Sequence, residues 1–134
     1  MLYGAGDSAI IKGMAAVTDA STAPQRSRTD FMPLHGIDHV ELFVGNAAQA
    51  AYFYEHAFGF QRVAYAGLET GERERASHVL KQGRIRLVLT GALHSDSPIA
   101  EHQRVHGDGV RVIALSVPSV ENAWHEATLR GAVG

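Results

Sequence analysis

The feature that most constrains the fold is an internal repeat of a strand followed by a helix. Ile37–Val44 have the alternating pattern of a strand, and a helix is predicted to start after Asn46. Val110–Val117 repeat the strand pattern at an offset of 73 residues, and Pro118-Ser119 opens a second predicted helix. Repeats of this kind indicate duplicated supersecondary units, neither of which buries its apolar face alone.

The first unit is predicted to be complete. Its helix has Asn46 as N-cap, with Gln49 at the reciprocal capping-box position, and Gly59 suits the residue after the last turn. Three strands follow, and the last two are joined by a short turn at Gln82-Gly83. The predicted ranges of these three strands are Phe60–Ala66, Ala76–Lys81 and Arg84–Thr90.

The second unit is predicted to be truncated after its strand and helix, because a full copy would extend to about residue 163. The predicted fold class is therefore α+β, with one complete βαβββ module and part of a second. We expect the open sheet edge to make the isolated chain marginally stable. Between the modules, Ser97-Pro98 starts a short helix that runs to about His106, and Gly107-Asp108-Gly109 form a turn.

Residues 1–33 lack periodicity and are predicted to be a mobile tail, which leaves residues 34–134 as the structured domain. The helix after Asn46 carries an apolar stripe and a run of aromatic residues, which are expected to pack in the core or at an interface. The stripe consists of Ala47, Ala50, Ala51, Tyr54 and Phe58, and the aromatic run adds Tyr52 and Phe53.

Composition excludes several classes of function. The formal net charge is −2 and the twelve Lys and Arg residues are scattered, so no nucleic-acid partner is expected. The apolar runs are too short to span a membrane and the first fourteen residues lack the pattern of a secretory signal, so a cytoplasmic protein is expected. The absence of cysteine excludes disulfides, thiolate metal sites and a cysteine nucleophile.

Several longer segments resemble one family in order and spacing. They are Val44–Ala50 (VGNAAQA), Ala64–Arg73 (AYAGLETGER), Ser77–Gly83 (SHVLKQG), Leu87–Thr90 (LVLT) and His106–Val110 (HGDGV). The βαβββ unit is similar to the vicinal-oxygen-chelate module of glyoxalase I, extradiol dioxygenases and bleomycin-resistance proteins. The segments together resemble the N-terminal portion of the 4-hydroxyphenylpyruvate dioxygenase family, over about residues 34–133.

This resemblance implies a two-domain, homo-oligomeric enzyme whose N-terminal domain is mainly structural and helps assembly. It implies that the C-terminal domain holds Fe(II) with two histidines and a glutamate. The implied reaction combines 4-hydroxyphenylpyruvate, a small aromatic 2-oxo acid, with O₂ to give homogentisate and CO₂ in tyrosine and phenylalanine breakdown. None of the three iron ligands maps onto this sequence, so the chain alone is expected to be inactive and to bind no iron.

Three alternatives remain open. Hydroxymandelate synthase uses the same substrate and shares part of the pattern, including QG…LVLT and HGDGV, whereas AYAGLETG favours the dioxygenase. The second alternative is a non-catalytic module that binds a small aromatic ligand or a second copy of itself. The third is a stand-alone metalloenzyme with ligands contributed across a dimer.

His39 is the strongest candidate for a metal ligand, because metal-binding members of this fold place a histidine on the first strand. The repeat tests this reading, since the position equivalent to His39 in the second unit is Val112 and the fourth strand ends in Thr90 rather than a carboxylate. A facial triad of two histidines and one carboxylate is therefore not available. We predict a structural role for His39 and no metal site.

The other candidate site residues are also expected to have structural roles. His102 and His106 share a predicted helix face near His94, and are expected to be solvated. His78 is expected to be a partly buried strand residue, and Glu41 to pair with His39 or Arg86. Gly67–Gly71 lack the spacing and the lysine of a phosphate loop, and no nucleophilic triad is recognisable. No catalytic or cofactor-binding residue is therefore predicted.

Overall fold

The computed structural model describes residues 2–4 and 30–133. The described residues form two compact units, one of residues 37–114 and the other of residues 2–4, 30–36 and 115–133. The strands are β1 Leu2–Gly4, β2 Gly36–Phe43, β3 Gln61–Ala66, β4 Arg75–Gln82, β5 Ile85–Ala92 and β6 Gly109–Val117. The helices are α1 Ala47–Phe58, α2 Pro98–His106 and α3 Val120–Leu129, and a 3-10 turn spans Leu68–Thr70.

The predicted α+β fold, with a βαβββ module followed by a strand and a helix, is confirmed. β2 begins at Gly36 and β6 at Gly109, and the N-caps of the following helices are Asn46 and Ser119, so the same 73-residue offset holds in the structure. Both N-caps use the same bond: Asn46 accepts from the N–H of Gln49, and Ser119 accepts in the same way three residues on. The two units of the repeat therefore have the same start.

The sheet of the first unit has the order β6, β2, β5, β4, β3. β2 and β5 are parallel, with Val40 opposite Leu87 and Leu42 opposite Leu89. β4 is antiparallel to both β5 and β3. The β4–β5 hairpin turns at Gly83, whose φ of 57° suits glycine, as the sequence predicted.

The core of the first unit lies between α1 and one face of this sheet. It consists of the buried residues Val44, Ala47, Ala51, Leu80 and Leu89. Alanines on α1 allow the helix to approach the strands closely. Gly91 in β5 serves the same approach, because a Cβ there would lie 3.2 Å from the backbone nitrogen of Ala47.

Of the four α1 aromatic residues, which were expected in the core or at an interface, one packs against the core of this unit. Tyr54 packs against the core, but Tyr52, Phe53 and Phe58 have exposed fractions of 61%, 56% and 55%. The small alanines face the sheet, so the large rings are left at the margins and on the outer side of the helix. They contact one another there: Phe53 lies 5.7 Å from both Tyr54 and Phe58 between ring centroids.

In the second unit, β1 pairs with the end of β6 in parallel and α3 packs against β1. Val117 and Ala123 are buried, and the Arg130 guanidinium lies 3.6 Å from the centroid of the Phe31 ring. The sequence pattern did not predict the strand Leu2–Gly4, which falls within the predicted tail. The tail prediction for residues 5–29 lies outside the described residues.

Within the described residues, no helix is both long enough and apolar enough to cross a membrane.

Candidate functional site

His39 and Glu41 project from the same face of β2, two residues apart, because side chains alternate along a strand. His39 is 9% exposed, and its Nδ1 lies 2.7 Å from a carboxylate oxygen of Asp38. Arg86 on β5 donates to both carboxylate oxygens of Asp38, at 3.0 and 3.1 Å. Asp38 therefore connects the His39 ring to a cation on the neighbouring parallel strand.

Glu41 is held by a hydroxyl network. Thr90, which is fully buried on β5, donates from Oγ1 to Glu41 Oε1 at 2.7 Å. Ser77 on β4 lies 2.9 Å from the same hydroxyl. The expected pairing of Glu41 with Arg86 is corrected: Arg86 pairs with Asp38, and Glu41 accepts from Thr90. The register of β2 and β5, which sets these partners, is not visible in local sequence.

These residues do not fit an iron site of two histidines and one carboxylate. Glu41 accepts from Thr90, and the second imidazole would have to come from the position of Val112. No group of three potential histidine, aspartate or glutamate ligands occurs among residues 2–4 and 30–133. A metal site needs several such donors converging on one point.

A cavity of about 500 Å³ lies beside the N-terminus of α1. Its polar lining includes Arg62, Tyr65, Glu69 and His78, together with the capping segment Gly45–Asn46. Most of these side chains have partners within the unit: Arg62 makes two hydrogen bonds to Glu55, and Tyr65 donates to Glu69 at 2.6 Å. The cavity is therefore lined by a cation, a carboxylate and an imidazole, and the cation and the carboxylate are paired with neighbouring side chains.

The electrostatics of this cavity follow from those contacts. The hydrogen bond to Glu69 raises the pKa of the Tyr65 hydroxyl, and the same bond lowers the pKa of Glu69. Burial lowers the pKa of His78, and the positive charge of Arg62 lowers it further. His78 is 5% exposed, its Nδ1 makes no protein hydrogen bond, and its ring lies 4.8 Å from that of Tyr65. Burial therefore favours the neutral form of the His78 ring.

The segment AYAGLETG forms a self-contained loop at the edge of this cavity. Thr70 Oγ1 accepts from the N–H of Gly67 and donates to the Gly67 carbonyl. A Cβ at Gly67 would lie 1.9 Å from the Tyr65 hydroxyl, so glycine leaves the room that Tyr65 needs to reach Glu69. This motif therefore holds the loop in shape.

Two other motif segments meet at Asp108. Its Oδ1 accepts from the N–H of Gly45 at 2.9 Å and from Gln103 Nε2 at 2.8 Å. A Cβ at Gly45 would lie 2.8 Å from the same Gln103 nitrogen, so any larger residue here would displace the end of the Gln103 side chain. The Asp108 side chain of HGDGV therefore accepts a hydrogen bond from the backbone N–H of Gly45 in VGNAAQA, and this bond joins the two segments just before α1 begins.

The histidines of α2 are placed as their spacing predicted. His102 and His106 lie on one helix face, with ring centroids 4.8 Å apart, and His102 meets the edge of Phe43 at 5.4 Å. The His102 ring is therefore packed rather than fully solvated. His94 lies in the preceding loop and lines a separate recess with Ser95 and Ile99.

Sequence reasoning did not identify the grouping of Arg62, Tyr65, Glu69 and His78. A usable signal was the alternation in β4, which puts His78 on the same face as the buried Leu80. The position of β3 beside β4, which brings Tyr65 to His78, depends on a register with a bulge between Arg62 and Ala64.

Comparison with known proteins decides the family. Residues 36–133 match the model of the Glyoxalase/Bleomycin resistance protein/Dioxygenase superfamily. This chain belongs to that superfamily. The match covers the βαβββ module and the strand and helix that follow it.

Within this superfamily, the chain is similar to 4-hydroxyphenylpyruvate dioxygenases, which confirms the resemblance to the N-terminal portion of that enzyme. The Dictyostelium discoideum enzyme is 47% identical over 100 residues, covering 74% of this chain and 27% of the relative. The Danio rerio enzyme is 41% identical over 120 residues, covering 89% of this chain and 29% of the relative. The chain thus spans about a third or less of the length of these curated relatives.

A solved structure is also similar to this chain. A triple mutant of 4-hydroxymandelate synthase from Streptomyces coelicolor is 36% identical, with a TM-score of 0.72, over 75% of this chain and 31% of that chain. The shared fold and the shared sequence segments therefore point to the same part of the superfamily.

Proposed function

We propose that this chain supplies the non-catalytic module of a 4-hydroxyphenylpyruvate dioxygenase. The whole enzyme combines 4-hydroxyphenylpyruvate with O₂ and releases homogentisate and CO₂. In this proposal, Fe(II) is held by two histidines and a glutamate outside this chain, so the chain alone does not turn over substrate. Its similarity to the two relatives over 74% and 89% of its length supports this reading.

The observation that carries the proposal is the hydrogen bond between Thr90 and Glu41 on the β2–β5 face. A catalytic module needs a carboxylate that is directed at a metal, together with imidazoles. Here the carboxylate of Glu41 accepts from a fully buried hydroxyl, and His39 Nδ1 lies against Asp38. These pairings stabilise the sheet and leave the module suited to folding and assembly.

Activity measurements on a chimera test this proposal. The matching N-terminal part of the Danio rerio enzyme is replaced by this chain, and oxygen uptake is measured with Fe(II), ascorbate and 4-hydroxyphenylpyruvate. We expect turnover by the chimera and none by the 134-residue chain alone. The chimera variants His39→Asn and Glu41→Gln should keep their bound iron, because neither residue ligates it.

Two outcomes would contradict the proposal. One is turnover by the isolated chain. The other is loss of iron from the His39→Asn chimera while its melting temperature is unchanged, which would make His39 a ligand.

A second candidate is 4-hydroxymandelate synthase, which is favoured by the 36% identity to the solved synthase. Both activities use the same substrate in our proposal, and the product depends on residues near the iron. The coding DNA read in frame past codon 134 and product analysis together distinguish the candidates. Two strand histidines and a C-terminal glutamate support an iron enzyme, and product analysis of that expressed frame separates homogentisate from 4-hydroxymandelate. A stop codon there would instead favour a binding or dimerisation module.

The proposal also places the whole enzyme in the cytoplasm as a homo-oligomer. Size-exclusion chromatography with light scattering measures the oligomeric state of the chimera, and an active chimera that is monomeric would contradict the proposed homo-oligomer.

A further inference from the structure

The two repeated strands, β2 and β6, each have a parallel neighbour in an equivalent register. In the first unit, β2 is parallel to β5, with Leu42 opposite Leu89 and Phe43 opposite Thr90. In the second unit, β6 is parallel to β1, with Leu115 opposite Leu2. β5 is the last strand of its βαβββ module, whereas β1 lies at the other end of the chain.

The repeat allows a comparison of positions in the two pairs. The offset from Gly36 to Gly109 makes Leu115 the counterpart of Leu42. Because Leu42 faces Leu89 and Leu115 faces Leu2, Leu2 occupies the register position that Leu89 holds in the first module. By the same relation, Tyr3 takes the position of Thr90.

The residues at these equivalent positions are nearly the same. β1 has Leu-Tyr-Gly at positions 2–4 and β5 has Leu-Thr-Gly at positions 89–91, and an alanine follows each segment in the sequence. Strand register alone places these two segments at equivalent positions. β1 therefore has both the register and the sequence of a module's last strand.

Backbone geometry shows which groups of β6 this strand satisfies. The Ser116 carbonyl accepts from the N–H of His35 at 2.8 Å, so the backbone groups of Ser116 point away from β1. Those of Leu115 and Val117 point toward β1, since successive residues of a strand alternate. Parallel pairing then puts the N–H of Tyr3 opposite the Leu115 carbonyl, and the N–H of Val117 opposite the Tyr3 carbonyl.

We infer that this edge of β6 is a strand-docking site, and that Leu2–Gly4 occupy it in the register that β5 holds against β2. The site fits an extended segment of the form Leu-x-Gly that adds in parallel, by β-augmentation. Open sheet edges are otherwise prone to pair with other chains. This inference rests on register and sequence and is independent of the proposed enzyme function.

Hydrogen exchange of the full 134-residue chain tests the inference. Tyr3→Pro removes the N–H that faces Leu115. We expect the Val117 amide to exchange at least about tenfold faster in this variant, while the amides of Leu80 and Leu89 keep their protection. The matched control Tyr3→Thr reproduces the β5 sequence and should leave Val117 protected.

A peptide experiment tests the identity of the occupant. A labelled peptide with the sequence of Ile85–Ala92 should bind Tyr3→Pro and a chain that lacks residues 1–5, but not the wild-type chain, and a scrambled peptide should bind none of them. Unchanged Val117 exchange in Tyr3→Pro would overturn the inference, as would equal peptide binding to all three proteins. Equal acceleration at Val117, Leu80 and Leu89 would also overturn it, since the effect would then be global.

Discussion

The hydroxyl of Thr90 donates a 2.7 Å hydrogen bond to the carboxylate of Glu41 across the parallel pair β2 and β5. Thr90 ends the segment LVLT and is fully buried, and Ser77 extends the network to β4. These two hydrogen bonds together link three strands of the module, β2, β5 and β4. This network gives Thr90 a role in the stability of the sheet.

Substitution of Thr90 by valine should destabilise the chain, because it keeps the shape of the side chain and removes the hydroxyl. We expect a loss of about 1–3 kcal/mol in the free energy of unfolding, since Glu41 and Ser77 lose a buried partner. Urea unfolding followed by circular dichroism measures this change. Thr90→Ser is the matched control and should lose less, because its hydroxyl remains. A Thr90→Val chain as stable as the wild type would contradict the account.

Loss of the Asp108 acceptor should weaken the junction between HGDGV and VGNAAQA. Asp108→Ala removes the acceptor for the N–H of Gly45 and for Gln103, at an expected cost of about 0.5–1.5 kcal/mol. Asp108→Asn retains an oxygen at the same place and should lie close to the wild type. Thermal unfolding of the two variants side by side gives the comparison. Equal melting temperatures for Asp108→Ala and Asp108→Asn would show that the junction contributes nothing.

A substitution that breaks the hydrogen bond between Tyr65 and Glu69 should change the titration of the Tyr65 phenol. Gly67→Ala places a methyl group where the Tyr65 hydroxyl lies, so the ring must move away from Glu69. The pKa of Tyr65, which that bond raises, should then fall toward its ordinary value. NMR titration of ring-labelled tyrosine follows the shift, and Tyr65→Phe identifies the signal. An unchanged Tyr65 titration in Gly67→Ala would refute this role of the glycine.

His78 should make stability depend on pH. Its pKa is lowered in the folded state by burial and by Arg62, so the unfolded chain binds a proton more readily. The free energy of unfolding should therefore decrease as pH falls from about 6.5, the ordinary value for histidine, through the folded pKa of His78, and that loss remains below it. Urea unfolding of the wild type and of His78→Phe across this range measures the difference. Identical pH profiles would contradict it.

The helix boundaries were predictable from sequence because the signals that set them are local. Asn46 and Ser119 each cap a helix with their own side chain, and Ser97 does so ahead of Pro98. Gly59, with a φ of 73°, ends α1 as expected. These residues act on backbone groups within four positions of themselves, so no knowledge of the tertiary structure is needed.

The side-chain partners were not predictable in the same way. Glu41 meets Thr90 rather than Arg86 because the register of two distant strands decides the neighbour. Phe58 has the spacing of a core residue but is exposed, because the alanines of α1 set the approach to the sheet. The strand Leu2–Gly4 has too few residues to show a period, and only its pairing with β6 reveals it.

Iron binding by the isolated chain tests the central claim most directly. The purified chain is incubated anaerobically with Fe(II), passed through a desalting column, and analysed for retained iron. Our account predicts no stoichiometric iron, because His39 and Glu41 are paired within the sheet and Val112 stands where a second imidazole would be needed. One equivalent of tightly bound iron that is lost in His39→Asn would contradict it.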